Sequence, residues 1–233
     1  MAKKVKNAKA APSQAEANVG EIFSRSEKFI ETYKNHIIIG VAAIILIVVA
    51  ILGIRHAYYI PKEKEAQAAI FQGESYFSMQ EWDKALNGDG ATYFGFLSVI
   101  DDYGFTKTGK LAQAYAGICY YQMGNPEEAM KHLKKFNPND KLTSPVVTGL
   151  IGDCYVETGD VKEGISYFEK AAKKANSAIL SPTYLKKAAV AYESLANYKA
   201  AVNAYKTIKT KYPASTEAQT IDKYIIKAEA HLN

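Results

Sequence analysis

One stretch of the chain is apolar without interruption, and most of the remainder places apolar residues at helical spacing. The run is IIIGVAAIILIVVAILGI, residues 37–54, and it contains no charged or strongly polar side chain. Its 18 residues would span about 27 Å as a helix, close to the thickness of the hydrocarbon layer of a bilayer. The pattern therefore predicts a transmembrane helix over residues 37–54.

Beyond residue 60, four segments repeat one arrangement of small and aromatic residues. In each copy, a tyrosine stands three positions after a small residue, and another small residue stands twelve positions after that same starting residue. In three of the four copies, a glycine or alanine stands seven positions after the starting residue. The copies start at Gly73, Gly117, Gly152 and Ala189, which lie 44, 35 and 37 positions apart. Self-similarity at about 34 residues indicates stacked helix–turn–helix units. Because no segment here alternates like a strand, we predict an all-α solenoid of about four helical hairpins.

The second copy shows what these residue types do. Gly117 and Ala129 are predicted to lie where the two helices of a hairpin touch, because only small side chains permit a close approach there. Gly124 is expected to end the first helix with a positive φ, which costs glycine little. The following Asn125-Pro126 is a typical start for the next helix, with asparagine as the cap.

The first copy and the end of the chain depart from this pattern. Residues 87–90, Asn-Gly-Asp-Gly, are a strong turn signal and lengthen the first copy by about ten residues. A calcium-binding loop does not explain them, because Ser98 occupies the twelfth position, where such a loop needs an acid. We therefore expect an insertion that breaks the second helix of the first hairpin. Residues 216–232 are amphipathic and are predicted to form a capping helix.

These residues resemble the tetratricopeptide repeat family, and the resemblance covers roughly residues 62–231. It implies a repeat domain over residues 62–233 whose first helices line a concave, protein-binding groove. The positions that correspond to this groove are Ile70, Glu74, Phe77, Leu111, Ala114, Ile118, Tyr121, Val146, Asp153, Val156, Lys186 and Val190. The first two repeats would then offer an apolar trough and the last two a more polar one. Alternatively, the trough packs against the insertion or the terminal helix.

The segment before the apolar run bears on how the chain sits in a membrane. A cleaved signal peptide is disfavoured because 36 residues precede the run and no Ala-x-Ala site follows it. We predict an uncleaved signal anchor, with a disordered basic tail over residues 1–18 in the cytoplasm. An amphipathic juxtamembrane segment is expected over residues 19–36, either as an interfacial helix or as an extension of the transmembrane helix. The repeats would then lie on the trans side, in the periplasm of a bacterium.

Charge and reactive residues indicate binding rather than catalysis. The net charge of +5 comes mostly from residues 1–60, which contribute +4, so the repeats lack the basic stripe of a nucleic-acid reader. No pair among the four histidines has zinc-ligand spacing, and no phosphate loop or nucleophile motif occurs. The chain is therefore predicted to be no enzyme and to need no cofactor or metal. Cys119 and Cys154 occupy equivalent repeat positions, too far apart for a disulfide, and are predicted to be buried free thiols.

The order of basic tail, anchor and repeat domain resembles the YfgM family of bacterial envelope proteins. The insertion and the many tyrosines resemble the versions from Bacteroidetes-type bacteria. Such a resemblance implies an ancillary subunit of the SecYEG translocon in the inner membrane, with a parvulin-type periplasmic chaperone and newly exported envelope proteins as partners. A scaffold that tethers a secretion, cell-wall or division assembly is the alternative. A regulator whose tail sequesters a cytoplasmic factor is a third hypothesis.

Overall fold

The computed structural model of the chain describes residues 14–136 and 140–232, with side chains from residue 32 onward. The chain divides after Tyr59 into two compact units. Within the described residues every regular element is helical and there is no strand, so the predicted all-α class is confirmed.

The first unit is one long helix that ends in a short π-helical segment. Helix α1 (Gln14–Ile54) is followed by a π-helical segment at Arg55–Tyr59. The apolar run has a mean hydropathy of 3.4 and none of it is buried, so by length and composition it is apolar enough to cross a membrane. The helix is continuous through residues 19–36, for which an amphipathic juxtamembrane segment is predicted. Residues 14–18 are helical rather than disordered, and the rest of the predicted basic tail lies outside the described residues.

The second unit contains the predicted repeats. Its helices are α2 (Ile60–Ser78), α3 (Trp82–Asn87), α4 (Gly95–Tyr103), α5 (Lys107–Gln122), α6 (Pro126–Leu133), α7 (Thr143–Glu157), α8 (Val161–Ala175), α9 (Leu180–Ser194), α10 (Tyr198–Lys211) and α11 (Ile221–Glu229). Three regular hairpins are formed by α5 with α6, α7 with α8, and α9 with α10. The predicted capping helix is present as α11, which is shorter than expected because Ala218–Thr220 forms a separate 3-10 turn.

Small residues lie where paired helices touch, as predicted. A Cβ added to Gly117 would come within 2.6 Å of the fully buried Leu133 side chain and 3.1 Å of the Ala129 carbonyl oxygen. In the next hairpin, a Cβ on Gly152 would come within 2.8 Å of Phe168. These distances are shorter than ordinary van der Waals contact, so the backbones approach as closely as they do only because a hydrogen stands in place of a side chain.

The predicted helix ends are also observed, with one difference. Gly124 and Gly159 have φ of +78° and +88°, and Ala196 takes the same place in the last hairpin with φ of +55°. Helix α6 begins at Pro126 after Asn125, but the Asn125 side chain makes no capping hydrogen bond. A proline at the first helical position removes one of the unsatisfied N–H groups that a cap would serve.

The insertion in the first repeat is organised around the carboxylate of Asp89. Its oxygens accept three backbone N–H bonds of 2.9 Å and three side-chain bonds of 3.0–3.3 Å. The backbone donors are Ala91, Thr92 and Tyr93, and the side-chain donors are Gln72, Tyr76 and Thr92. The backbone bonds, that from Tyr93 foremost, hold the pKa of this carboxyl far below its usual range. The turn that sequence reading identified is thus closed by one acid.

The insertion supplies the second layer of the first hairpin. A Cβ on Gly73 would meet Tyr93 and Phe96 of the insertion, where the equivalent glycines of later repeats meet their own second helix. The fully buried Phe96 ring stacks on Tyr115 of α5, with ring centroids 5.0 Å apart. Because α3 is only six residues long, α4 fills the place that a full second helix would occupy.

Helices α2 and α5, the first helices of the first and second repeats, run in the same direction. At the start of both, the Glu63 carboxylate of α2 accepts hydrogen bonds from the Lys107 and Thr108 backbone N–H groups of α5, at 2.8 and 3.4 Å. Toward the other end, the Tyr115 hydroxyl donates to Glu74 at 3.0 Å. The contacts follow the same order along both helices, so α2 and α5 are parallel.

The same direction continues through α7 and α9. Near the ends of α5 and α7, the Tyr121 hydroxyl donates to Glu157 at 2.6 Å. Two contacts order α7 against α9: Gly149 faces the Tyr184 ring and, further along both helices, Asp153 pairs with Lys187. The amino-terminal ends of the four first helices therefore lie along one edge of the repeat unit, and the turns inside the hairpins lie along the opposite edge.

The close contact at Gly117 generates a stability prediction. Gly117→Val should lower the free energy of unfolding by about 1–3 kcal/mol, because Leu133 and the Ala129 carbonyl leave no room for the added methyl groups. Urea unfolding of the full chain in detergent measures the change. The control is Ala68→Val on the exposed side of α2, which should cost less than about 1 kcal/mol. Equal losses in the two variants would show that the helices do not approach closely at Gly117.

The Asp89 turn generates a second prediction. Asp89→Ala should increase the rate at which thermolysin cuts residues 88–95 at neutral pH, while Asp101→Ala, at an exposed acid of α4, should not. Because the folded pKa is depressed, the contribution of Asp89 is present above the unfolded value of about 3.9 and is lost only as the pH falls below it. Similar cutting rates for both variants would mean that other contacts hold the insertion.

Candidate protein-binding cleft

The predicted groove residues of the first two repeats are packed rather than open. Ile70 and Ala114, two of the residues predicted to bind a partner, are buried within the repeat unit. Phe77 and Leu111 lie against the same apolar cluster, which includes Phe96 of the insertion. The apolar trough expected here is therefore filled from within, in agreement with the alternative that it packs against the insertion.

Three further predicted residues of these repeats take part in contacts inside the unit. Glu74 accepts the hydroxyl of Tyr115. Ile118 and Tyr121 are half-buried and pack against the apolar cluster of the second and third repeats, and the Tyr121 hydroxyl is bound to Glu157. Burial, with a smaller contribution from that hydrogen bond, raises the pKa of Tyr121 above the range in which it would ionise in water. These side chains hold neighbouring repeats together.

An open cleft of about 510 Å³ lies instead between the last two repeats. Four of the residues predicted from the sequence line it, namely Asp153, Val156, Lys186 and Val190. Val190 is 51% exposed although it lies on an otherwise packed helix. Val146, the remaining predicted residue, is exposed at the start of α7 but does not line the cleft.

Six further residues line the cleft, namely Phe168, Thr183, Lys187, Ala191, Ser194 and Glu217. Thr183 and Ser194 lie at groove positions of the repeat pattern, whereas the other four do not. Phe168 comes from the second helix of the third hairpin, and its contact with Gly152 has a sequence signal in the recurring small residue. Glu217 comes from the segment after α10, which no repeat offset describes.

The cleft has an apolar floor between polar walls. Val156, Phe168, Val190 and Ala191 form the floor. Among the polar lining residues, Lys187 donates to both oxygens of Asp153 at 2.9 and 2.7 Å. The Thr183 hydroxyl donates to Glu217 at 2.7 Å. An arrangement of this kind can take up an apolar side chain while offering hydrogen-bond partners to a peptide backbone.

Two features of the walls fix their electrostatics. Burial raises the pKa of the Asp153 carboxyl, although the hydrogen bond and charge of Lys187 oppose this change. The ammonium of Lys186 lies 4.8 Å from the centroid of the Tyr224 ring of α11, so a cation–π contact holds it at the cleft. The capping helix therefore helps to shape the cleft as well as covering the last repeat.

The rest of the described chain shows no arrangement that indicates catalysis. Among the residues with described side chains, no three His, Cys, Asp or Glu groups come together in a way that would hold a metal ion. Cys119 and Cys154 are both fully buried and free. Burial raises the pKa of each thiol to about 12, so neither is a reactive thiolate at neutral pH.

Comparison with known proteins gives the class of the repeat unit. Residues 111–139, 149–173 and 184–215 match tetratricopeptide repeat models. Among solved structures, the MamA protein is 18% identical and matches over 71% of this chain and 88% of its own, with a TM-score of 0.52. Repeats of a Podosopora anserina putative kinesin light chain are 12% identical over 73% and 88%, with a TM-score of 0.55. No curated protein matches the sequence.

These matches establish the fold class of the second unit. The chain carries tetratricopeptide repeats, as predicted. Repeats of this kind form protein–protein interaction modules, and no catalytic family is indicated. At these sequence identities, the similar structures show the fold alone.

The raised pKa of Asp153 generates a prediction about stability. Because the folded state binds this proton more tightly than the unfolded chain, the ionised carboxylate lowers stability above its folded pKa, and this cost disappears as the pH falls below about 4. Asp153→Asn should therefore leave the free energy of unfolding unchanged or higher at pH 7. The difference from the unsubstituted chain should narrow toward pH 3.

Urea unfolding at the two pH values measures this effect. The control is Asp222→Asn, which removes an exposed partner of Lys209 and should change little at either pH. A loss of more than about 1 kcal/mol for Asp153→Asn at pH 7 would show that the ion pair with Lys187 is a net source of stability.

Proposed function

We propose that this chain is a non-catalytic, single-pass membrane protein whose last two repeats bind a segment of another protein. The observation that carries the proposal is the cleft, which leaves Val156 and Val190 accessible beside the Phe168 ring, whereas the apolar residues predicted for the groove of the first two repeats are buried or half-buried. An apolar surface that the chain does not cover itself is a common mark of an interaction site.

The volume and walls of the cleft favour an extended peptide with an apolar side chain. At about 510 Å³ the cleft lies within the range of ligand pockets, roughly 300–1,000 Å³. The Asp153–Lys187 pair and the Thr183–Glu217 pair both line it and can offer donors and acceptors to a peptide backbone. Both pairs are already formed, so binding does not require a buried charge to find a new partner.

The apolar part of α1 supports anchoring in a membrane. Its residues expose Ile, Leu and Val on every side, which a helix does in lipid but not in water. We propose that α1 spans the inner membrane of a bacterium with the amino terminus in the cytoplasm, so that the repeats lie in the periplasm. The basic tail favours this orientation.

Within this frame, the layout supports a role as an ancillary subunit of the Sec translocon. The resemblance to the YfgM family lies in the order of basic tail, anchor and repeats. On this hypothesis the cleft receives either a periplasmic chaperone of the parvulin type or a newly exported envelope protein. Neither task needs ATP or a reactive group, in keeping with a site built of valines, a phenylalanine and paired charges.

Crosslinking in cells tests this function. A photoreactive phenylalanine analogue at Val190 should form adducts with translocon subunits, a chaperone or nascent envelope proteins. The matched control is the same analogue at Ile226, which is 68% exposed on α11 but outside the cleft. Adding Ala191→Glu should reduce the yield at Val190 by about tenfold, because a carboxylate would be forced onto the apolar floor.

The identity of the adducts decides between functions. Adducts confined to components of one cell-wall or division assembly would overturn the translocon role and favour the scaffold. Equal adducts at Val190 and Ile226 would overturn the cleft as the binding site. Circular dichroism of the Ala191→Glu variant shows whether the repeats remain folded.

A further inference from the structure

One edge of the repeat unit exposes large apolar side chains at equivalent places. Leu142 and Ile179 each stand immediately before a first helix, α7 and α9, and their side chains are 67% and 80% exposed. Phe105, which stands just before the cap of α5, is 43% exposed. Because the first helices are parallel, these three positions follow one another along the edge where those helices begin.

The same edge is basic, and the opposite edge is acidic. The described parts of the connections that form it, residues 104–110, 134–136, 140–142 and 173–180, contain seven lysines and one acid. The turns on the opposite edge, residues 79–83, 122–128, 157–163 and 194–199, contain seven acids and two lysines. The one acid in these connections, Asp140, is engaged as an acceptor for the backbone N–H groups of Leu142 and Thr143 at the start of α7.

The chain also enters the repeat unit at this edge. Helix α2 begins at Ile60, and Glu63 in its first turn binds the first turn of α5. Only six positions separate Ile60 from Ile54, the last residue of the apolar run. Even fully extended, that length of chain reaches no more than about 20 Å. If the apolar run is embedded in a bilayer, the basic edge begins within about 20 Å of the bilayer surface.

We propose that this edge, defined by Leu142 and Ile179 with the lysines beside them, rests on an anionic phospholipid surface. The apolar side chains enter the boundary between headgroups and acyl chains, and the lysines lie among the phosphates. Lys135, Lys141 and Lys173 are exposed and close in sequence to these residues. The proposal depends on α1 being the membrane anchor, but it does not depend on the cleft or on the identity of its partner.

The test places an environment-sensitive fluorophore on single cysteines in the full chain. Leu142→Cys and Ile179→Cys carry the label on the basic edge, and Leu195→Cys carries it on an exposed leucine of the acidic edge. The labelled chain is reconstituted into nanodiscs of phosphatidylethanolamine with a minority of phosphatidylglycerol, some of it bearing nitroxide quenchers in the acyl chains. The unsubstituted chain reports any labelling of Cys119 and Cys154.

We expect the labels at positions 142 and 179 to be quenched at least about twofold more than the label at position 195. Changing Lys135, Lys141 and Lys173 together to Glu should abolish this difference, because the edge would then be repelled by the anionic lipid. Equal quenching at all three positions would overturn the proposal and leave the apolar edge for a protein partner. Quenching that survives the lysine changes would overturn the assigned role of the charges.

The anchor has its own readout in the same experiment. A chain that does not co-elute with the nanodiscs fails at the step of membrane insertion, which contradicts the proposed anchoring rather than the edge contact. A chain that is incorporated but shows no excess quenching at positions 142 and 179 contradicts the edge contact alone. The crosslinking at Val190 is independent of both results.

Discussion

The repeat unit depends on the close approach of helix backbones at residues that have almost no side chain. Gly117 against Leu133 and Gly152 against Phe168 set the distance between the two helices of a hairpin. Once that distance is fixed, the aromatic rings beside these glycines fill the remaining space, and each hairpin presents a flat face to the next. The buried Phe168 ring, which this contact holds in place, also lines the cleft, so the constraint that builds the fold also provides part of the floor of the candidate site.

The sequence was most informative where a residue has one structural reason to be there. Small residues at fixed offsets predicted the hairpins, and glycines with positive φ predicted the helix ends, because few other residues satisfy those conditions. The location of the open groove was not predictable in the same way. Family offsets place Ile70 and Lys186 at equivalent positions, yet Ile70 is buried and Lys186 lines the open cleft. This difference in burial arises from the insertion, whose aromatic residues fill the groove of the first repeat. A turn signal in the sequence does not predict where such residues will pack.

The residues that line the cleft were also only partly predictable from the sequence. Asp153, Val156, Lys186 and Val190 were predicted because first helices line the groove of this repeat family. Lys187 and Glu217 were not, since one lies next to a predicted position and the other follows the last repeat. Their roles depend on long-range pairings, with Asp153 and Thr183 respectively. A protein-interaction module that follows an apolar helix is thus readable from sequence, whereas the particular surface that remains open is a property of the folded unit.

The capping of α5 by Glu63 has a mechanical consequence. Its carboxylate makes three hydrogen bonds to the first turn of α5, two to backbone N–H groups and one to the Thr108 hydroxyl. Tension transmitted from α1 to Ile60 therefore acts on the hydrogen bonds between Glu63 and the second repeat before it acts on the rest of α2. Because the first and second repeats share the force at this point, pulling on α1 strains the whole stack of repeats rather than detaching α2 alone.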